Sequence, residues 1–257
     1  MMNLETVAKE LESKGFETRL DSVTKNGIEI PCVSVKQTEN LWANIYENSI
    51  DGMTIDEIVE MVSKKPDFDV NVINAEFILA NVRIGVQAKG TETLIKRSLN
   101  KFDGIEKYLY CVIGDFASFK LKPSHLALCG LEKSEVWKVA EENTYNATVL
   151  NSLIGLQLGL KGTPLDETYD TDPMFTIVTN KEGTKGAGII AVNKAIKKLK
   201  SLLGTKEMLV IPSSIHEVIV MAKFDGMDIE DIKKLVFEIN ANEVRETDKL
   251  IDNAYVI

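Results

Sequence analysis

The segment PSSIHEV, residues 212–218, holds the side chains best suited to chemistry in this sequence. Ser214 and His216 lie two positions apart, so on an extended strand they project to one face while Glu217 projects to the other. A serine nucleophile needs an imidazole aimed at its oxygen and a third group that orients the ring. Because neighbouring strand side chains point in parallel, the pattern favours a structural His216 over a catalytic or ligand-binding one. These three residues are the catalytic candidates, and no catalytic role is assigned to them.

The second histidine, His125, stands in the similar segment KPSHLAL, also just after a Pro-Ser pair. The simplest interpretation is that His125 and His216 occupy equivalent places in a duplicated unit, which favours architecture over catalysis. A zinc site would need local ligand spacing such as HExxH or a pair of CxxC cysteines, and the sequence has neither. We therefore expect no metal and no cofactor.

The clearest basic cluster supplies the candidate binding residues Lys194, Lys197 and Lys198, on a predicted amphipathic helix from Asn193 to Leu203. Lysines at this spacing could touch phosphates or an acidic partner. No aromatic residue interleaves with them, so stacking on bases is not supported. A solvated helix face is favoured, because the net charge of −9 repels nucleic acid and anionic lipid.

The composition is that of a globular chain, with 257 residues, 44% of them hydrophobic and 27% charged. The three cysteines, Cys32, Cys111 and Cys129, sit in apolar runs without a CxxC pair, and we interpret them as buried free thiols. The N-terminal segment lacks the apolar stretch of a signal peptide, and no apolar run reaches the ~18 residues of a membrane span. These features predict a cytoplasmic protein.

A strand, turn and helix unit is predicted to occur three times. The helical segments DGMTIDEIVEMV, CGLEKSEVWKVA and DGMDIEDIKKLV begin at Asp51, Cys129 and Asp225, and each follows a predicted strand, LWANIY, SHLALC or SIHEVIVMA. In the first of these helices, Thr54 and Glu57 form a capping box. The fold class predicted is therefore α+β, with mixed or antiparallel sheet covered by repeated amphipathic helices.

Further elements complete this prediction. A helix is expected over residues 3–14, and Asn26-Gly27 predicts a hairpin turn. A helix from Ser134 is expected to continue in two pieces to Leu160, and GIIAV at residues 188–192 to form a strand. Periodicity leaves residues 73–87 open between helix and strand. The lobes predicted are 1–107 and 108–257, the second with a linker-like loop at 162–173, and a single domain is the alternative.

The C-terminal segments, from Tyr108 onward above all, resemble a bacterial domain family of unknown function from Gram-positive gut bacteria and their mobile elements. The likeness rests on YCVIGDFASFKL, MFTIVTN, LVIPSSIHEVIVM, FEINANEV and DKLIDNAYV. It implies an intracellular accessory protein of phage or mobile-element origin, and it carries no catalytic assignment. The positions that most resemble the family are Pro212, Ser213, Ser214, His216 and Glu217, with Asn143, Asn240 and Asp252.

These observations favour a non-enzymatic factor that binds another protein, such as a counter-defence inhibitor of a host protein. The alternative is a small-molecule-binding protein or an enzyme with a pocket around His216, where Ser214 and Glu217 supply polar contacts with Asn143 or Asn240. Nucleic-acid binding through the lysine helix is a third hypothesis. Substituting His216 discriminates between the first two, because only the second requires its ring.

Overall fold

A computed structural model describes residues 3–38, 41–63, 73–114, 117–168, 171–212 and 214–257. The chain forms two compact units, Met1–Ile73 and Asn74–Ile257. All strand pairs among the described residues are antiparallel, and helices accompany the sheets in both units, which confirms the predicted α+β class. None of the helices in these ranges combines the length and the apolar composition needed to cross a membrane.

The first unit is a three-stranded antiparallel sheet, in the order β1-β2-β3, packed with two helices. Its core joins Val7 and Leu11 of the first helix to Val33 and Val35 of the central strand and to Ile58 of the second helix. The elements are α1 (Leu4–Ser13), β1 (Thr18–Lys25), β2 (Ile28–Thr38), β3 (Leu41–Tyr46) and α2 (Ile55–Ser63), with a 3-10 turn at Glu47–Ser49.

Local signals in the sequence explain the elements of this unit. Asn26 and Gly27 both have positive φ, at 50° and 80°, which is the backbone that a two-residue hairpin turn requires. At the start of α2, the Thr54 backbone N–H donates to Glu57 Oε2 at 2.7 Å, and the Glu57 N–H donates to Thr54 Oγ1 at 3.4 Å. The capping box is therefore confirmed, and these hydrogen bonds lower the pKa of Glu57.

The second unit contains two antiparallel sheets. In one, β6 pairs with β4 along one edge and with β5 and then β7 along the other, and the second sheet has the order β13-β11-β12-β10-β8-β9. Turns of 3-10 helix lie at Leu165–Glu167 and Gly186–Ala191. The elements are α3 (Ala75–Asn81), β4 (Val82–Ala88), β5 (Lys96–Ser98), β6 (Ile105–Ile113), β7 (Ala117–Lys120), α4 (Pro123–Cys129), α5 (Lys133–Ala147), β8 (Thr148–Asn151), α6 (Leu153–Gln157), β9 (Thr163–Pro164), β10 (Thr176–Asn180), α7 (Asn193–Leu202), β11 (Met208–Ile211), β12 (Val218–Ala222), α8 (Ile229–Glu243) and β13 (Tyr255–Val256).

The two sheets of this unit are joined through the backbone of β4. Thr144 of α5 accepts a hydrogen bond from the Ile84 N–H at 2.8 Å, and Asn143 Nδ2 donates to the Val82 carbonyl at 3.0 Å. The 3-10 segment Gly186–Ala191 lies against the same strand. A Cβ added at Gly188 would stand 1.8 Å from the Ile84 carbonyl oxygen, so only glycine permits this approach.

The predicted strand SHLALC is instead helix α4, so the strand, turn and helix unit is absent at the middle of its three predicted positions. Pro123 occupies the first turn of α4, where its missing N–H costs nothing, and Gly130 ends the helix in a left-handed conformation. His125 thus lies on a helix, whereas His216 precedes a strand. The two histidines do not occupy equivalent places.

Two further elements differ from the sequence-based expectation. The GIIAV segment is buried 3-10 helix up to Ala191 rather than a strand, because it packs against β4 instead of pairing with a neighbour. The predicted helix from Ser134 to Leu160 is interrupted by β8, whose β-branched residues Thr148 and Val149 pair with β10. Residues 73–87, left open by periodicity, divide into α3 and β4.

The two compact units divide after Ile73, whereas the lobe boundary predicted from the sequence lies after residue 107. A boundary at 107 would cut β6, which pairs with β4 from Ile105 to Cys111. The segment 162–173, expected to be a linker-like loop, belongs to the second unit. Leu165 is buried, and the Tyr145 hydroxyl donates to Asp166.

The cysteines are free, as the spacing predicts, but they are not equally buried. Cys32 and Cys111 are buried, and burial raises the pKa of both thiols, that of Cys111 to about 12. Cys129, at the end of α4, is only half-buried.

Replacing Gly188 with alanine tests the close approach at β4. We expect Gly188→Ala to lower the free energy of unfolding by about 3 kcal/mol or more, since a new Cβ collides with backbone rather than with a flexible side chain. The matched control is Gly90→Ala, where the nearest atom would be 3.8 Å away and the change should stay below about 1 kcal/mol. Urea denaturation followed by circular dichroism measures both, and equal effects would contradict the contact.

Two fragments test the division of the chain. A fragment of residues 74–257 should unfold cooperatively, whereas a fragment of residues 108–257 should not. The shorter fragment lacks β4 and β5, so most of the β6 backbone that pairs with these two strands is left without a partner. Thermal unfolding and amide dispersion in NMR spectra provide the measurement. A cooperative transition in the shorter fragment would restore the boundary expected from the sequence.

Candidate functional site

Residues 214–217 of the PSSIHEV segment form a loop, and β12 begins only at Val218. Ser213 lies outside the described residues. Ser214 is buried and forms an isolated antiparallel bridge with Lys249. Its hydroxyl accepts the backbone N–H of His216 at 3.0 Å, so it stabilises the turn and does not contact the imidazole.

Both nitrogens of the His216 ring face polar groups of the protein. Nδ1 accepts a hydrogen bond from the Lys185 backbone N–H at 3.3 Å, and Nε2 lies 3.5 Å from Asp248 Oδ1. An accepting Nδ1 places the proton of the neutral ring on Nε2, which points it toward the carboxylate. The ring therefore bridges two segments that are about sixty positions apart in the sequence.

The backbone beside His216 makes the same connections. The His216 carbonyl accepts from Thr179 Oγ1 at 2.9 Å, at the end of β10. The neighbouring Ile215 donates to the Asp248 carbonyl at 2.8 Å and accepts from the Ala187 N–H at 3.3 Å. The loop is thus held to the end of β10, the 3-10 segment and the chain after α8.

This arrangement lacks the geometry of a nucleophile and its base. The Ser214 hydroxyl is directed at backbone rather than at the imidazole, and Glu217 is half-buried without an ion pair or hydrogen bond to any described residue. Asn143 and Asn240 have other hydrogen-bond partners. Asn143 donates to the Leu79 carbonyl just before β4, and Asn240 donates to Asp252. The hydrogen bonds of the His216 loop connect it to the end of β10, to the 3-10 segment and to the chain after α8.

A second polar cluster lies at the end of β10, and the sequence offers no signal for it. Arg83 of β4 and Glu182 form a two-pronged ion pair with N to O distances of 2.5 and 3.0 Å, although they are 99 positions apart. The hydroxyl of Tyr110 hydrogen-bonds to Arg83 and Asn180, and burial raises its pKa to about 12. The Lys185 ammonium lies 5.5 Å from the centre of the Tyr110 ring. The cluster joins β4 and β6 to the residues at the end of β10, whereas His216 joins the end of β10 to the chain after α8.

The lysine helix is α7, with Ala195, Ile196 and Leu199 buried as expected. The Lys194 ammonium lies 3.8 Å from the centre of the Tyr145 ring and 3.5 Å from Glu142 Oε1, so this lysine is engaged by residues of α5. Lys197 is exposed and Lys198 half-buried. Over the described ranges, no group of three or more histidine, cysteine, aspartate or glutamate side chains is placed to hold a metal ion.

A model of a family of unknown function, DUF5688, matches residues 107–256, which is more than half of the chain. The chain belongs to the DUF5688 family. The DUF5688 match contains the whole six-stranded sheet and His216, but it leaves out β4 and β5, two of the three strands that pair with β6. No curated protein and no solved structure matches the chain.

The DUF5688 region also exposes a cluster of apolar side chains that sequence analysis did not single out. Around α6, four large apolar side chains are at least half exposed within eight positions, and we name them the α6 patch: Leu153 (50%), Ile154 (68%), Leu158 (68%) and Leu160 (59%). A helical pattern predicts that such residues are buried. The signal available was the pair of glycines at 155 and 159, of which Gly155 lies within the short helix α6 and Gly159, with a positive φ, lies just after its end.

The proposed connecting role of His216 can be measured as stability. His216→Ala removes the acceptor of the Lys185 N–H and the group facing Asp248, and should lower the free energy of unfolding by about 1–2 kcal/mol. Glu217→Ala, one position away and without a described partner, is the matched control and should change it by less than about 0.5 kcal/mol. Urea denaturation gives both values, and an alanine variant at 216 as stable as the wild type would refute the role.

Proposed function

We propose that this protein is a cytoplasmic, non-enzymatic accessory factor that works by binding another protein. The observation that carries the proposal is the α6 patch. Contiguous exposed apolar side chains are costly in water and mark interaction sites when they occur together on a folded protein. The phage or mobile-element origin and the counter-defence role stay predictions.

The sequence around α6 suits contact with a protein. From Ser152 to Gly162 it contains no acidic residue and a single basic one, Lys161, in a chain that carries a net charge of −9. Charged residues are depleted at the centres of protein interfaces, because they lose hydration there without a matched partner. The α6 patch has this composition.

A cleft beside the α6 patch supports the same function. It has a volume of about 320 Å³, and its lining includes Gly155, Leu160, Gly162, Thr171 and Thr176. A cleft of this size next to exposed leucines can take one anchoring side chain of a partner. In protein interfaces, a few such buried side chains contribute most of the binding energy. Neither this cleft nor the one of about 730 Å³ in the first unit is lined by His216.

The experiment compares variants in affinity capture from the host, followed by titration of the captured protein against purified variants. Leu153→Ser, Ile154→Ser and Leu158→Ser together should weaken binding at least about tenfold, because they remove the apolar contact area. Lys197→Ser with Lys198→Ser is the control on α7, where one lysine is exposed and the other half-buried, and it should bind as the wild type does. His216→Ala should also retain binding.

Two results would contradict the proposal. One is a captured partner whose affinity is the same for the triple serine variant. The other is the absence of any partner together with a metabolite that raises the melting temperature of the wild type but not of His216→Ala. That second result would favour the small-molecule alternative instead.

A further inference from the structure

A second surface, on α8, differs from the α6 patch in both geometry and charge. Val236 and Asn240 are buried against the six-stranded sheet, with Ile232 packed beside them. Leu235 and Ile239 lie one turn apart on the helix and remain 54% and 48% exposed. We name this pair the α8 stripe.

The α8 stripe lies in an acidic part of the second unit. Residues 225–248 contain eight acidic and three basic side chains, a net charge of −5 against −9 for the whole chain. Lys233 and Lys234 are already engaged, with Glu230 at 2.8 Å and Asp231 at 2.9 Å. Within the described ranges, the exposed carboxylates of Glu238 and Glu243 form no ion pair, so the surface presents negative charge beside its apolar pair.

From this charge pattern we propose that the α8 stripe is a docking surface for a basic amphipathic helix of another protein. The apolar face of such a helix would cover Leu235 and Ile239. Its lysine or arginine side chains would lie against Glu238 and Glu243. Complementary charge of this kind speeds association and selects the partner, and apolar contact slows dissociation.

The same charge excludes the other occupants. A second copy of the chain would bring like charges together across a symmetric contact, which is repulsive. An anionic membrane surface would be repelled for the same reason. The proposal does not depend on the α6 patch, since the two surfaces have different charge and are altered by different substitutions.

The test uses full-length protein and four labelled synthetic peptides. Three of them are designed as helices that share one apolar face. Their polar faces carry lysine, glutamine or glutamate, and a fourth peptide has the lysine composition with a scrambled order and no apolar face. Fluorescence anisotropy should show the amphipathic lysine peptide binding at least about tenfold more tightly than the other three. Binding should weaken as ionic strength rises, because exposed charges are screened.

Two variants locate the peptide on α8. Leu235→Ser with Ile239→Ser removes the apolar pair, and Glu238→Lys with Glu243→Lys reverses the charge without touching the core. Each should weaken binding of the lysine peptide at least about tenfold. Leu153→Ser with Ile154→Ser in the α6 patch is the matched control and should leave it unchanged. Because all four α8 positions are exposed, circular dichroism should show that both variants fold like the wild type. Should the serine variant fail to fold, the charge-reversal variant alone tests the proposal.

Three outcomes would overturn the proposal. Equal affinity for the lysine and glutamate peptides would show that positive charge is not recognised, and equal affinity for the ordered and scrambled lysine peptides would show that the apolar face is not recognised. Equal loss in the α6 control would place the peptide elsewhere. A wild-type dimer in sedimentation that becomes a monomer in Leu235→Ser with Ile239→Ser would assign the surface to a second copy. Failure here leaves the α6 experiment intact, and the reverse also holds.

Discussion

The second unit depends on how closely the backbone of residues 186–188 can approach its neighbours. At Gly186, a Cβ would lie 2.5 Å from Thr179 Oγ1 and 2.6 Å from the His216 carbonyl, and at Gly188 it would collide with the Ile84 carbonyl. The absence of side chains at these positions lets one short segment contact β4 on one side and the His216 loop on the other. Both sheets of the unit are connected through this contact. The 3-10 conformation of the segment follows, because a paired strand would need room beside it.

His216 belongs to this connection. Its ring accepts from the residue just before Gly186, and its carbonyl accepts from the end of β10. The ion pair of Arg83 with Glu182 links β4 to the turn just after β10, which in the sequence lies between two segments that His216 contacts. Polar groups that are hydrogen-bonded on every side stabilise one arrangement of the chain, because breaking one of them leaves a partner unsatisfied. The His216 ring and backbone thus make their polar contacts with distant segments of the same unit.

With the polar cluster occupied, exposed apolar side chains are the features left without a structural explanation. Two groups of them, the α6 patch and the α8 stripe, have opposite electrostatic character. The α6 patch stands in a stretch without acidic residues, whereas the α8 stripe stands beside Glu238 and Glu243, whose carboxylates form no ion pair with any residue that the structure describes. A surface of the first kind favours a neutral, apolar partner, and a surface of the second kind favours a basic one. The membership in a family of unknown function agrees with either, since its model spans both surfaces.

The sequence by itself determined the α+β class, the Asn26-Gly27 hairpin, the Thr54 capping box and the helices α1, α7 and α8. These features depend on residues within a few positions of one another, so local rules suffice to predict them. The tertiary structure alone decided that SHLALC is helical, that GIIAV is not a strand, and that β8 interrupts a helical pattern. It also decided which polar groups surround His216, because Lys185 and Asp248 approach the ring from distant segments. Contacts between residues that are far apart in the chain depend on packing of the whole unit, and no local pattern encodes them.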